Sequence, residues 1–405
     1  MGLRERVRGF LGLRGNLLPI SIMELLSNTG WNMFEVIWQP YVLSLGATVP
    51  LLGMLQGFEM ALRSVLQLLW GRVSDAVGRR TPILASCALS LAGLVPFFAA
   101  RSWIWMVPTL AFFALADSIW EPVFPTLVSE SVEADKRGSA FGLVSLLWFL
   151  PGFFAPALGG FMAQSLGYRS IIGSMFVLEV ASSLIFVLYV RETYVGSGKV
   201  GLGELFSSLK GVLRLPSRNL SRFYMASTVY QFSWIVGEGI LYAMLIKSFG
   251  LTLIQIGILA NVFSVSAALM QFPIGRLVDR HGGRFFMAVS SLACAAVYAG
   301  YLLSGGFLGF VLCRILRGFV VSAWMPAYNA YLANSVSAEE RARSYGDLNC
   351  LKGLICFPAP ILAAVLFDRI GFWAPISLGL ALDLVVFLIL VSMGVQGSGE
   401  ASATP

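Results

Sequence analysis

The chain has little charge and almost none of the side chains that build metal or redox centres. Asp, Glu, Lys and Arg make up 12% of its 405 residues, and His281 is the single histidine. A zinc-type set of histidine and cysteine ligands is therefore not available. The five cysteines, Cys87, Cys294, Cys313, Cys350 and Cys356, fall in apolar runs without paired spacing. They read as free thiols packed as small hydrophobes. A Gly-Lys-Ser/Thr phosphate loop is also missing, which removes the usual device for driving work with ATP. No enzyme, cofactor or metal is expected.

What fills the chain instead is apolar. Hydrophobic residues make up 57%, with a mean hydropathy of +0.80, against roughly 45–50% apolar for an average soluble domain. The apolar runs last about 20 residues, enough for a helix to cross a ~30 Å hydrocarbon core. They do not alternate, and an open sheet cannot satisfy its backbone in lipid. The expected fold class is an all-α membrane protein whose surroundings are the lipid bilayer.

The net charge of +7 has to be read by its placement. Arg4, Arg6, Arg8, Arg72, Arg79, Arg80, Arg137, Arg191, Lys210, Arg276, Arg280, Arg284 and Arg341 gather in the N-terminal arm and alternate inter-helix loops. The remaining loops hold only Arg101, Arg169, Lys247 and Arg369. Such asymmetry puts both termini in the cytoplasm of a multi-pass plasma-membrane protein. The basic balance reports orientation, so no nucleic-acid partner is expected.

The chain also repeats itself. Gly71, Arg72, Asp75, Gly78 and Arg80 return as Gly275, Arg276, Asp279, Gly282 and Arg284, 204 positions later. At the same offset Trp120 and Pro122 fall on Trp324 and Pro326, Pro156 on Pro360, Gly167 on Gly371 and Glu179 on Asp383. A gapless repeat of this length sets the architecture. Twelve spans are predicted, near 17–43, 51–72, 82–100, 103–129, 138–163, 168–190, 222–247, 252–276, 285–304, 307–333, 342–366 and 371–394. Six per copy gives two six-helix bundles of like orientation, related by a pseudo-two-fold axis along the membrane normal. The expected parts are an arm at 1–16, bundles at 17–194 and 221–396, a linker at 195–220 and a polar tail at 397–405. In the linker Leu202, Leu205, Phe206, Leu209 and Leu213 recur at helical spacing, which suits an amphipathic helix on the membrane surface. Leu17 onward reads as a retained first helix.

On the loop Gly71-x-x-x-Asp75-x-x-Gly78-Arg79-Arg80, its copy from Gly275 to Arg284, and the two-by-six layout, the chain resembles the major facilitator superfamily of secondary transporters. The glycines suit tight turns and close helix approach, and Asp75 is placed to face Arg79, Arg80 or a helix N-terminus. The resemblance implies that Asp75 latches the two bundles in the outward-facing state. Gly283 replaces the first arginine of the second copy, which implies a weaker latch there. Span 5 carries Gly142, Pro151, Ala155, Pro156, Gly159 and Gly160, and so resembles the family's antiporter signature, with Pro151 and Ala155 in place of two glycines. Its prolines bend the helix, and Gly159-Gly160 permits close packing. This likeness points to the proton-coupled multidrug-efflux branch.

Ionisable residues inside spans are costly and therefore informative. Glu24, Asn28, Trp31 and Glu35 form one stripe on span 1, and Phe113, Asp117, Glu121 and Phe124 another on span 4. Glu59 and Arg63 are one turn apart on span 2, where Arg63 can pair with Glu59 or reach Asp117. Tyr230, Trp234 and Glu238 stripe span 7; Arg314, Arg317, Trp324 and Tyr328 stripe span 10. In the resembling fold spans 1, 4, 7 and 10 line the central cavity. Acid is concentrated in the first half, with Arg63 its only cation within the spans.

These features lead to a proton-coupled exporter of small amphipathic cations, monomeric, working by alternating access with Glu24 or Asp117 carrying the proton. Two alternatives stay open. One is an importer or exchanger of a small anion or sugar built on Arg63, Arg314 and Arg317. The other is a membrane receptor or scaffold that does not transport.

Overall fold

A computed structural model describes residues 15–133, 136–194, 218–336 and 341–393. The predicted amphipathic linker helix, the N-terminal arm and the polar tail lie almost wholly outside these residues. The described residues form fifteen α-helices and no strand. In order they are α1 (Leu17–Ser44), α2 (Val49–Val77), α3 (Arg80–Ala99), α4 (Met106–Glu130), α5 (Arg137–Phe149), α6 (Ala155–Leu166), α7 (Tyr168–Tyr189) and α8 (Arg218–Glu238). They continue as α9 (Leu241–Phe249), α10 (Leu253–His281), α11 (Gly283–Leu303), α12 (Phe307–Ser335), α13 (Arg341–Cys356), α14 (Ala359–Arg369) and α15 (Trp373–Ser392). Because α5 with α6, α8 with α9 and α13 with α14 each make one interrupted span, the spans number twelve. Ten are long and apolar enough to cross a membrane by length and composition. The other two, α1 and α2, are 28 and 29 residues long; they contain Glu24, Glu35, Glu59 and Arg63.

Helix ends obey the repeat closely. Shifting α2 by 204 positions lands its first and last residues on those of α10. Thr48 and Thr252 cap these two helices, each accepting the backbone N–H three residues on at 3.3 Å, and Thr252 completes a capping box with Gln255. Three pairs of glycines at the same offset turn the chain with positive φ: Gly46 and Gly250 (88° and 65°), Gly78 and Gly282 (94° and 87°), Gly167 and Gly371 (83° and 116°). Only glycine enters this region at little cost. Each fifth span is broken just before a shared proline, Pro156 or Pro360, which starts the following helix where its missing N–H costs nothing. In span 5 the break is a 3-10 turn, Pro151–Phe153.

The bonds that join the bundles gather in the half nearest Gly46, Gly167, Gly250 and Gly371. A Cβ on Gly53 would meet the Pro360 carbonyl at 2.5 Å, and one on Gly257 the Pro156 carbonyl at 2.5 Å. These are the same contact on opposite sides of the pseudo-axis. Beside the second, Asn261 donates to the Phe153 carbonyl at 2.8 Å and accepts the Ala157 N–H at 2.9 Å. Gly57 stands at the equivalent place in the first copy, against the Phe357 carbonyl. Within each bundle another side chain recurs: Ser86 donates to the Ala116 carbonyl and Ser290 to the Val320 carbonyl, both at 2.8 Å.

Candidate functional site: a charged central cavity

Two adjoining chambers occupy the centre, and Glu35 and Trp38 line both. One, of about 330 Å³, lies within the first bundle and is walled by Glu24, Asn28, Trp31, Asp117, Trp120 and Glu179. The other, of about 300 Å³, lies between the bundles, among Gln39, Gln56, Glu59, Arg63, Trp234, Glu238, Tyr242 and Arg314. The stripe read on span 1 therefore faces the cavity along its length.

In the first chamber Asn28 donates its amide to Glu24 Oε2 at 3.0 Å and to the Glu24 carbonyl at 2.8 Å, fixing the carboxyl one turn away. Glu179 on α7 lines this chamber too and accepts the Ser27 hydroxyl at 2.8 Å. Arg63 is shared more widely than a pair: its Nη1 lies 3.5 Å from Glu59, 3.8 Å from Asp117 and 3.7 Å from Glu121. One cation thus stands among three acids. Glu35 is solvent-accessible and makes no hydrogen bond or ion pair among the described residues.

The second bundle inverts this balance. Glu238 Oε2 accepts from Arg314 Nη1 and lies beside Arg317 Nε, each at 3.2 Å. Both guanidiniums are buried, at 5% and 1% exposure, so losing Glu238 would leave two uncompensated charges in a low-dielectric core. Arg314 also stacks 4.6 Å from the Phe263 ring and bonds the Tyr242 hydroxyl. Trp324 and Tyr328 are buried and serve packing: Trp324 stacks on Tyr230 at 3.5 Å, and Tyr328 lies between the Phe223 ring and Lys352. Sequence reasoning missed Trp38, Gln39, Gln56 and Tyr242. Three of them continue known stripes, since Trp38 and Gln39 follow Glu35 by one turn and Tyr242 follows Glu238 by one.

The repeated loop motif lies apart from the cavity. Arg79 is buried and held by Asp75 (2.6 Å), Ser74 (2.8 Å) and Glu130 (3.1 Å), all of its own bundle. Glu192 receives the N–H groups of Arg79 and Arg80 at 2.8 and 2.9 Å where α3 begins. Partial burial pushes the Glu192 carboxyl up, but the backbone N–H groups of Arg79, Arg80, Tyr194 and Thr193 together outweigh it and hold it below the usual glutamate range. Arg80 and Arg284 play one role in the two copies, each donating from Nη2 at 2.7 Å to a carbonyl ending the last helix of its bundle, Val187 or Val391. Gly283 cannot be an arginine in this packing, because a Cβ there would come 2.4 Å from the Ala327 carbonyl. Asp279 is exposed. Gly275 and Gly142 face open space, so close packing does not explain either. Gly160 does meet the other bundle, at the Leu253 carbonyl, whereas Gly159 packs on Met33 of its own.

Two like-oriented helix bundles around a charged midplane cavity are the architecture of a secondary transporter. The chain belongs to the Major Facilitator Superfamily, whose sequence profile matches residues 20–236 and 223–402; it is a transporter, not an enzyme. It is similar to the multi-drug resistance efflux pump PmrA homolog of Lactococcus lactis, 23% identical over 333 residues and 79% of each chain. PmrA of Streptococcus pneumoniae is 25% identical over 277 residues, 65% of this chain and 66% of that one. In structure it resembles the nucleoside transporter NupG with a TM-score of 0.79 at 13% identity, over 94% of this chain and 100% of the other. That last likeness concerns the fold alone.

Proposed function

We propose that this transporter exports small amphipathic cations in exchange for protons, by alternating access of the units 17–194 and 221–396. The observation that carries the reading is the excess of acid in the cavity. Arg63 stands among three carboxyl groups, and Glu24 and Glu35 add two more with no cation paired to them among the described residues. Trp31, Trp38, Trp120 and Trp234 supply aromatic faces for a lipophilic cation. Both PmrA relatives are multi-drug resistance efflux pumps, which agrees with it. With both termini cytoplasmic, the half in which the bundles are joined is the outer one, so this state faces inward. The protein acts as a monomer in the plasma membrane.

An anion carrier fits less well. Arg63 is engaged by three acids and both Arg314 and Arg317 by Glu238, so none of these three guanidiniums is free for a substrate anion. Asp75 remains the candidate latch of the opposite state; here it is held by Arg79.

The test is binding of tetraphenylphosphonium to the purified protein, followed by thermal shift. Its affinity should fall as pH is lowered, and fall at least tenfold at neutral pH in Asp117→Asn. A pH-independent affinity, or preference for an anionic analogue of equal size, would defeat the reading.

A further inference from the structure

The second bundle holds a carboxyl group for which the cavity chemistry has no use. Asp383 on α15 is 0% exposed, and neither of its oxygens has a well-formed hydrogen bond among the described residues, although the Ser233 hydroxyl and the Cys294 thiol stand near it. Tyr230 and Ser233 on α8, Cys294 and Tyr298 on α11, and Arg317 on α12 surround it, with Glu238 beyond. Several of these are committed elsewhere. Ser233 donates to the Gly379 carbonyl at 2.8 Å, the Tyr298 hydroxyl to the Ser233 carbonyl at 3.2 Å, and Arg317 Nη1 to Cys294 Sγ at 2.8 Å. A carboxylate ion so enclosed would be an uncompensated charge, far costlier to bury than the neutral acid.

The neighbouring ion cluster is unbalanced in the opposite sense. Arg314 and Arg317 both approach Oε2 of Glu238, while Glu238 Oε1 is buried with no partner among the described residues. Two guanidiniums share one carboxylate. Arg317 touches Glu238 at 3.2 Å on one side and, at 2.8 Å on the other, the thiol of Cys294, a neighbour of Asp383.

We infer that Asp383 is a proton-binding site linked to the cavity through Arg317. With the proton bound, Arg317 pairs with Glu238, as the structure shows. When the O–H bond of Asp383 breaks and its proton passes to cavity water, Arg317 turns to the new carboxylate and Glu238 keeps Arg314 alone. The cluster then holds two cations and two anions, where before it held two and one. A cation entering the chamber beside Glu238 meets a field less positive by one charge, so proton release and cation entry favour each other. This rests on the cation-export reading and gives it a proton site in the second bundle.

Infrared difference spectra of the purified full-length protein, recorded as pH is raised, observe a carboxylic-acid C=O band without any substrate. One such band should titrate away in the wild type and be missing from Asp383→Asn; Asp383→Glu, which keeps the acid, should retain a shifted band even where the asparagine variant fails to fold. In Glu238→Gln, Arg317 loses its present partner and becomes free for Asp383, so the band should titrate lower by about one pH unit or more. Identical spectra for wild type and Asp383→Asn, or a midpoint unmoved by Glu238→Gln, overturn the proposal. Failure of tetraphenylphosphonium to bind would instead defeat the export reading and leave this titration standing.

Discussion

In the first half of the chain Gly53 lies against the carbonyl of Pro360; in the second, 204 residues on, Gly257 lies against that of Pro156, and in both an added Cβ would come within 2.5 Å. The charges tell the opposite story. The positions equivalent to Asp117, Glu121 and Arg63 are Val321, Met325 and Ala267, and those equivalent to Arg314 and Arg317 are Leu110 and Phe113. Backbone contacts at glycine and proline tolerate almost no replacement, so they constrain both copies alike. Cavity side chains have no such geometric tie, which lets one bundle become acidic and the other arginine-bearing.

The largest effect should come from breaking the shared contact. Gly53→Ala and Gly257→Ala each overpack a backbone approach, a change worth about 1–3 kcal/mol. Each should move the bundles out of the state seen here and lower transport tenfold or more. Distances between spin labels on α2 and α14, and on α6 and α10, would measure the shift. If one substitution is tolerated and the other is not, the two interfaces are not equivalent.

A smaller effect separates the two loops. Glu192 anchors the start of α3, and its equivalent, Gln396, lies outside the described residues. Because the Glu192 carboxyl is held below its ordinary range, its contribution to stability is complete above the unfolded-state value and lost as pH falls through the folded one. The melting temperature should therefore drop on acidification, and less steeply in Glu192→Gln. An unchanged slope would remove this loop from the account.

Much of this comparison was legible in the sequence. Apolar runs and their breaks located the twelve spans, and the offset of 204 divided them six and six and paired Pro156 with Pro360 and Glu179 with Asp383, because gapless repeats carry their geometry with them. The stripe from Glu24 to Glu35 identified the cavity face of α1. Spacing along one helix does not say what the neighbouring helix brings, however. Arg63 meets three acids from two helices, Glu238 receives two arginines from a third, and Trp324 turns from the cavity to stack on Tyr230. The same limit hid Asp383, whose isolation depends on Ser233 donating to the Gly379 carbonyl and Arg317 to the Cys294 sulfur.

Transport itself tests the central claim most directly. Proteoliposomes containing the wild-type protein should accumulate tetraphenylphosphonium against its gradient when a pH gradient is imposed, and lose the accumulation when the gradient is collapsed. Changing both Glu24 and Asp117, to glutamine and asparagine, should abolish uphill movement while downhill exchange of the cation persists, since the cavity would keep its aromatic walls and lose the acids that trade a proton for a cation. Accumulation that survives both changes with its dependence on the pH gradient intact would contradict the account.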